Sequence, residues 1–258
     1  METDISKTSK EYTVTYHLKF YSEWHCGSGL GAGADVDALV VKDKNKLPYV
    51  PGKTIKGLIR EAVENILYFE SQTKKEEKEG SKENISLDNA GYHQQWIEQM
   101  KEDFIKVFGN SADKDWNIFA DSDSKNIKEN LQIKSQSFFS NAELEDSLKK
   151  LILSDTNSTE EAERYWHFLY NSVASISINE KGVAERQHLR RLETVVPCML
   201  VGRILRVPES FIPVLQKGMQ FIKRLGQNRN RGLGRCDMVF KSQTEEPAST
   251  LQEGGRYE

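Results

Sequence analysis

The sequence predicts an α+β fold in which a mostly antiparallel sheet carries helices, a helical insertion and a projecting hairpin. Three observations predict it. Residues 12–21 alternate with period two, setting Val14, Tyr16, Leu18 and Phe20 on one face and Thr13, Thr15, His17, Lys19 and Tyr21 on the other, as in a half-buried strand. Ile55, Leu58, Ile59, Ala62, Val63, Ile66 and Leu67 recur on one face of a helix that follows Pro51-Gly52. Late in the chain the pattern repeats, with a strand over 197–207, a helix over 213–225 and a strand over 235–240.

The elements follow in order. After Tyr21 comes a loop over 22–36, a short strand at 38–41, the Pro-Gly turn and the helix, which is expected to end near Phe69. Residues 70–84 hold almost no apolar side chains and read as a mobile linker. Helices are expected over 96–108, 142–153 and 158–170, the last opened by a capping box of Ser158 and Glu161. Residues 174–178 read as a strand, and 179–193, with Gly182, as an extended hairpin. The helix over 213–225 turns Val214, Leu215, Gly218, Phe221, Ile222 and Leu225 inward, with Gly226 as its stop. Two strand–helix–strand passes fit a ferredoxin-like, RRM-like core. The expected division is 1–69 and 171–240 as the two parts of that core, 70–170 as an acidic, mainly helical insertion, and 241–258 as a disordered tail.

Composition narrows the function. The 258 residues are 37% hydrophobic and carry a net charge of -3, enough to bury one sizeable core. No apolar run reaches the ~20 residues that cross a membrane, and the N-terminus lacks an export signal, so a cytoplasmic protein with no membrane partner is expected. Cys26, Cys198 and Cys236 are odd in number and widely spaced, and His17, His93, His167 and His188 form no ligand set, so no structural zinc is expected. The charge is uneven. Residues 61–165 hold 13 Lys/Arg against 23 Asp/Glu, whereas 166–240 hold 12 against 5. A basic surface on a formally acidic chain follows.

The stretch from His25 to Arg60 concentrates the chemistry. A glycine-rich loop carries Asp35 and Asp37 and leads into a helix bearing Lys53, Lys56 and Arg60 at spacings of three and four. Glycine allows close main-chain approach, and a helix start offers N–H groups and a favourable dipole to an anion. Together they suit a phosphate backbone held near a carboxylate. A solvated basic face, and aspartates that merely cap turns, remain the plain alternatives.

Asp37 with Val40-Val41-Lys42-Asp43, followed by Leu47-Pro48-Tyr49-Val50-Pro51-Gly52-Lys53-Thr54-Ile55-Lys56-Gly57-Leu58-Ile59-Arg60, resembles the RAMP superfamily, specifically the repeated backbone subunit of type III CRISPR effectors. Gly226-Gln227-Asn228-Arg229-Asn230-Arg231-Gly232-Leu233-Gly234-Arg235 is similar to the family's C-terminal glycine-rich loop. Weaker echoes lie at 107–109, 138–142 and 178–193.

The resemblance implies a ferredoxin-like fold and a guide-crRNA-binding subunit that meets complementary target RNA, copies of itself or related RAMP subunits, and other type III subunits. It implies RNA contacts at His25, Lys53, Lys56, Arg60, Gly226, Arg229, Arg231, Gly232 and Gly234. In the resembled subunits a hairpin called a thumb wedges into the guide–target duplex; Arg186, Gln187, His188, Arg190 and Arg191 are placed for that role, with an ordinary exposed hairpin as the alternative. Asp37 matches the acidic position that cuts target RNA with Mg2+ (or Mn2+), leaving 2',3'-cyclic phosphate and 5'-hydroxyl ends; Asp35 is the second choice. Ala38-Leu39 departs from the small residue and proline common there. Three functions stand: a metal-dependent target-RNA endonuclease that is also a structural repeat, a guide-RNA scaffold without cleavage, and a metal-independent guide-processing enzyme using His25 as acid or base. His25 can also be read as a packed or turn-capping residue.

Overall fold

A computed structural model describes residues 10–31, 36–80, 87–109, 133–154 and 167–246. In chain order the elements are β1 (Glu11–Phe20), β2 (Tyr49–Val50), α1 (Gly52–Gly80), α2 (Leu87–Phe108), β3 (Phe138–Phe139), β4 (Ala142–Leu144), α3 (Asp146–Ser154), β5 (Tyr170–Ile178), β6 (Ala184–Val195), β7 (Met199–Pro208), α4 (Ile212–Phe221) and β8 (Cys236–Glu245).

The alternation in β1 sets the main sheet. Its apolar face, Val14, Tyr16, Leu18 and Phe20, is at most 2% exposed. β1 is central and antiparallel to both neighbours, with Leu18 opposite Leu200 of β7 and Met238 of β8. The sheet runs β2-β4-β7-β1-β8, with β3 also paired to β7. Since β4 is antiparallel to β7, β1 runs parallel to β4, and β7 to β8. The passes β1–α1–β4 and β7–α4–β8 therefore interleave, each skipping one strand, which is the split βαβ plan of a ferredoxin-like core.

Helices α1 and α4 cross where Gly218 removes a side chain, since a Cβ there would lie 2.7 Å from Val63 Cγ2. Ile55, Ile59 and Val63 are fully buried, each contributing about 1.5–3 kcal/mol. From α2, Phe104 and Phe108 pack against Phe211, and Phe108 stacks on Phe139 at 5.7 Å between ring centres.

Several expectations are corrected. α1 continues to Gly80 rather than ending near Phe69. Residues 70–80 lack an apolar stripe, so no period in the sequence marks this extension. Residues 142–144 are strand, because pairing Glu143 with Val201 and Leu144 with Leu200 outweighs their helical preference. The 70–170 segment thus supplies β3 and β4 to the main sheet. Residues 38–41 form isolated bridges instead of a regular strand. Tyr170 opens β5 instead of closing a helix; Ser158 and Glu161 lie outside the described residues. α4 stops at Phe221, capped by the extended Ile222, not at Gly226. Residues 241–245, placed in the tail, extend β8 along β1 from Thr15 to Tyr12. Their exposed polar side chains carry no apolar alternation to reveal them. Residues 247–258 lie outside the described residues.

Candidate nucleic-acid interface

The expected hairpin exists and is longer than the sequence indicated. β5 and β6 pair from Tyr170–Val195 to Ile178–Ala184, as a sheet of their own. Its turn is shaped by Asn179, whose Oδ1 accepts the N–H groups of Lys181 and Val183, and by Gly182 at φ 75°. A lone hairpin is marginal in water, so its root is tied down. Trp24 and Val195 exchange main-chain hydrogen bonds of 3.0 and 2.8 Å. Thr194 Oγ1 donates to Glu23 Oε2 at 2.8 Å, and Asn171 Nδ2 to Glu23 Oε1 at 2.7 Å.

From Asp37 onward the aspartate loop is bound to this root. Asp37 N–H donates to Arg191 O at 2.9 Å, and Arg191 N–H donates to the Asp37 carboxylate at 2.6 Å. Ala38 bridges Leu192, and Glu193 N–H donates to Ala38 O at 3.0 Å. The Glu193 side chain, 14% exposed, accepts Val40 N–H at 2.9 Å and pairs with Lys42 at 2.7 Å. Lys42 sits 4.0 Å from the centre of the Tyr170 ring. Burial, and after it the nearby Glu193, raises the Tyr170 hydroxyl's pKa.

His25 and Cys26 join these parts to the rest. The His25 side chain is fully buried; Nδ1 donates to Glu193 O at 2.7 Å, while Nε2 lies buried beside Gly27. The imidazole therefore presents no surface to a ligand, in contrast to the RNA contact and the acid–base role considered from the sequence. His25 O accepts Gln227 N–H at 3.0 Å, and a Cβ on Gly226 would lie 2.2 Å from that oxygen. Cys26 O accepts Val41 N–H at 2.8 Å. Burial raises the Cys26 thiol's pKa, opposed by its hydrogen bond to Thr54 in the first turn of α1. Two adjacent residues thus touch the aspartate loop, the hairpin root, the start of α1 and the glycine-rich loop.

The start of α1 is less open than expected. Gly52 N–H donates to Asn141 Oδ1 at 3.0 Å, and the N–H groups of Thr54 and Ile55 donate to Pro51 O, so those donors are not available to an anion. Lys53 is exposed. Lys56 is partly buried 5.9 Å from the Phe139 ring centre, and burial, then Arg60, lowers its pKa. Arg60 pairs with Glu64 at 2.8 Å and lies over Phe104.

The glycine-rich loop is a tight structure with exposed cations. Gly226, Asn228, Gly232 and Gly234 all have positive φ. Arg229–Arg231 form one 3-10 turn, and both arginines are exposed. Gly234 N–H donates to Glu23 O at 2.7 Å, and a Cβ at Gly234 would fall 1.8 Å from Leu225 O.

The fold therefore brings Asp37, the root of the hairpin with exposed Arg190 and Arg191, Thr54 of the first turn of α1 and the 226–235 loop around His25–Cys26. It does not bring the His25 ring to the surface, and it engages Arg60 with Glu64. Asp35 and the side chains of Arg186 and His188 lie outside the described residues. Sequence reasoning gave no role to Glu193, Glu23 and Asn141, although Glu193 and Asn141 fall in the segments of weaker resemblance. Each acts through a main-chain or side-chain partner at least 89 residues away, and no local spacing marks them. Among the described residues no group of three or more His, Cys, Asp or Glu could hold a metal ion, and no helix is long and apolar enough to cross a membrane.

A split βαβ sheet whose aspartate loop, projecting hairpin and basic glycine-rich loop share one hub defines an α+β protein built around a candidate nucleic-acid interface. The chain belongs to the RAMP superfamily, whose sequence profile matches residues 17–237. Its fold is similar to that of a chain in the type III-B Cmr-β complex bound to cognate target RNA, solved by cryo-EM. That likeness has a TM-score of 0.55 at 11% identity and covers 90% of this chain and 98% of the other. A chain of the apo type III-B Cmr-β complex gives a TM-score of 0.49 at 13% identity, over 88% and 96% of the two chains. At 11% identity the first likeness concerns the fold alone. No curated protein matches the sequence.

Proposed function

We propose that this chain is a guide-crRNA-binding backbone subunit of a type III CRISPR effector, assembled with copies of itself or related RAMP subunits, and that it cleaves complementary target RNA at Asp37. The observation that carries the reading is the meeting of the aspartate loop, hairpin root, α1 start and glycine-rich loop at His25–Cys26. Membership of the RAMP superfamily and the likeness to a chain of a target-RNA-bound Cmr-β complex support it.

The chemistry needs few protein groups. The RNA 2'-hydroxyl attacks the adjacent phosphorus when it lies in line with the leaving oxygen; the P–O5' bond breaks, giving a 2',3'-cyclic phosphate and a 5'-hydroxyl. The hairpin, bonded through Arg191 to Asp37, holds the target strand in register with the carboxylate, which takes the 2'-hydroxyl proton while water protonates the leaving oxygen. Mg2+ is commonly held by one or two carboxylates together with substrate phosphates. The exposed Asp37 fits such a shared site, where Mg2+ or Mn2+ would neutralise developing phosphate charge.

The scaffold reading has its own support, since an Arg191 N–H already occupies one Asp37 oxygen at 2.6 Å. Target cleavage by the purified ribonucleoprotein decides between them. Asp37→Ala and EDTA should each abolish cleavage while guide RNA still copurifies. Unchanged cutting by Asp37→Ala refutes the assignment, and no cutting by the wild-type complex at any Mg2+ or Mn2+ concentration establishes the scaffold.

A further inference from the structure

At the end of β1 beyond Phe20, Tyr21 is 47% exposed and ringed by cations. Lys19 Nζ lies 5.2 Å, and the Arg235 guanidinium carbon 5.9 Å, from the ring centre. The Tyr21 hydroxyl donates to Asp237 Oδ2 at 3.0 Å, and Lys223 Nζ donates to Asp237 Oδ1 at 2.8 Å. Arg224 pairs through its main chain with Arg235, and its guanidinium donates to Arg229 O at 2.5 Å. Lys19, Lys223, Arg224 and Arg235 are all exposed. In this set four cations therefore face one carboxylate. Lys223, then Tyr21, lowers the Asp237 pKa, which favours the charged form of the bridge.

Asp237 holds Lys223 and the Tyr21 hydroxyl while Lys19 and Arg235 both lie near the ring, so one carboxylate offsets one of the four positive charges and the set stays net positive. A fixed positive surface in solvent attracts a polyanion. The patch also runs without a break into the 226–235 loop, through Arg235 N–H to Ser22 Oγ at 2.9 Å and Leu225 N–H to Gly234 O at 2.9 Å.

We infer that Lys19, Lys223 and Arg235, spaced by Tyr21 and Asp237, bind the phosphates of single-stranded RNA and carry its path past the glycine-rich loop onto the β1–β8 end of the sheet. This rests on the reading that the chain binds RNA and extends the surface from Arg235, the last residue of the glycine-rich motif, to Lys19 and Lys223, which no sequence motif marks. Lys19 comes from β1, and Lys223 and Arg235 from the connection between α4 and β8; contacts to phosphate carry no base information, so this binding is independent of base sequence.

The test is fluorescence anisotropy of a labelled single-stranded oligoribonucleotide with the full chain across salt concentration. Lys19→Ala/Lys223→Ala/Arg235→Ala should reduce the log–log salt slope by about 2, at roughly 0.7 per phosphate. Between 50 and 200 mM salt the wild-type affinity then falls roughly 16-fold more than that of the variant. Asp237→Asn should act oppositely, raising affinity; it keeps the ring's hydrogen bond and needs no refolded surface. If the wild type binds, Lys53→Ala/Lys56→Ala weakens binding and both patch variants leave affinity and slope unchanged, this inference fails while the RNA-binding reading stands. If the wild type does not bind at all, both fail. If the triple variant keeps its RNA affinity but changes its oligomeric state by light scattering, the patch takes an acidic protein surface and the inference is overturned.

Discussion

Replacing Glu193 by alanine should loosen the hairpin root and the aspartate loop together. The carboxylate is 14% exposed, accepts the main-chain N–H of Val40, and pairs with Lys42. A hydrogen bond to a charged group contributes about 1.5–3 kcal/mol, and leaving a buried N–H unsatisfied costs about 1–3 kcal/mol. With the Lys42 pair discounted for its partial exposure, the loss is about 3 kcal/mol. Amide hydrogen exchange in 36–43 and 189–195, which reads the local opening free energy, should accelerate on the order of a hundredfold. Glu193→Gln keeps an acceptor for Val40 and should show roughly half that free-energy loss. Glu193→Ala with wild-type exchange in both segments refutes the coupling of loop and hairpin.

Other outcomes follow from the same geometry. Gly232 and Gly234 both have positive φ, but a Cβ meets open space at Gly232 and Leu225 O at 1.8 Å at Gly234; urea unfolding should show about 1–2 kcal/mol lost for Gly232→Ala and a clearly larger loss for Gly234→Ala. Lys53→Ala/Lys56→Ala should weaken RNA binding and lower the salt slope, with preserved affinity restoring the solvated-face reading. Because burial and Arg60 lower the Lys56 pKa below its unfolded value, the unfolded chain binds more protons in the window between the two values, and stability should rise with pH there. Urea midpoints across that window for wild type and Lys56→Met check the sign, since the variant loses that increment.

The ferredoxin-like core was legible because burial writes its period into the chain. Val14 through Phe20 alternate, and Ile55 through Leu67 follow one helical face, as the structure places them. The signal failed where tertiary pairing decides. Ala142–Leu144 join the sheet only because β7 lies alongside, and residues 241–245 are strand without an apolar face.

The site divided in the same way. Asp37 and the glycines of the 226–235 loop stand out locally, but the contact that fixes Asp37 comes from Arg191, 154 residues later. Of the readings open for His25, an RNA contact, an acid–base group or a packed residue, the structure matches the packed one, a buried joint between segments. A histidine beside glycines looks the same in sequence whether its ring faces solvent or a carbonyl such as that of Glu193.

The most direct test is ultraviolet crosslinking of the purified ribonucleoprotein, with mass spectrometry of the RNA-bearing peptides. One RNA lying over the joined segments should crosslink within 36–43, 189–193 and 226–235 of the same chain. Crosslinks confined to other surfaces, with those three segments unmodified, contradict a shared RNA path around His25–Cys26.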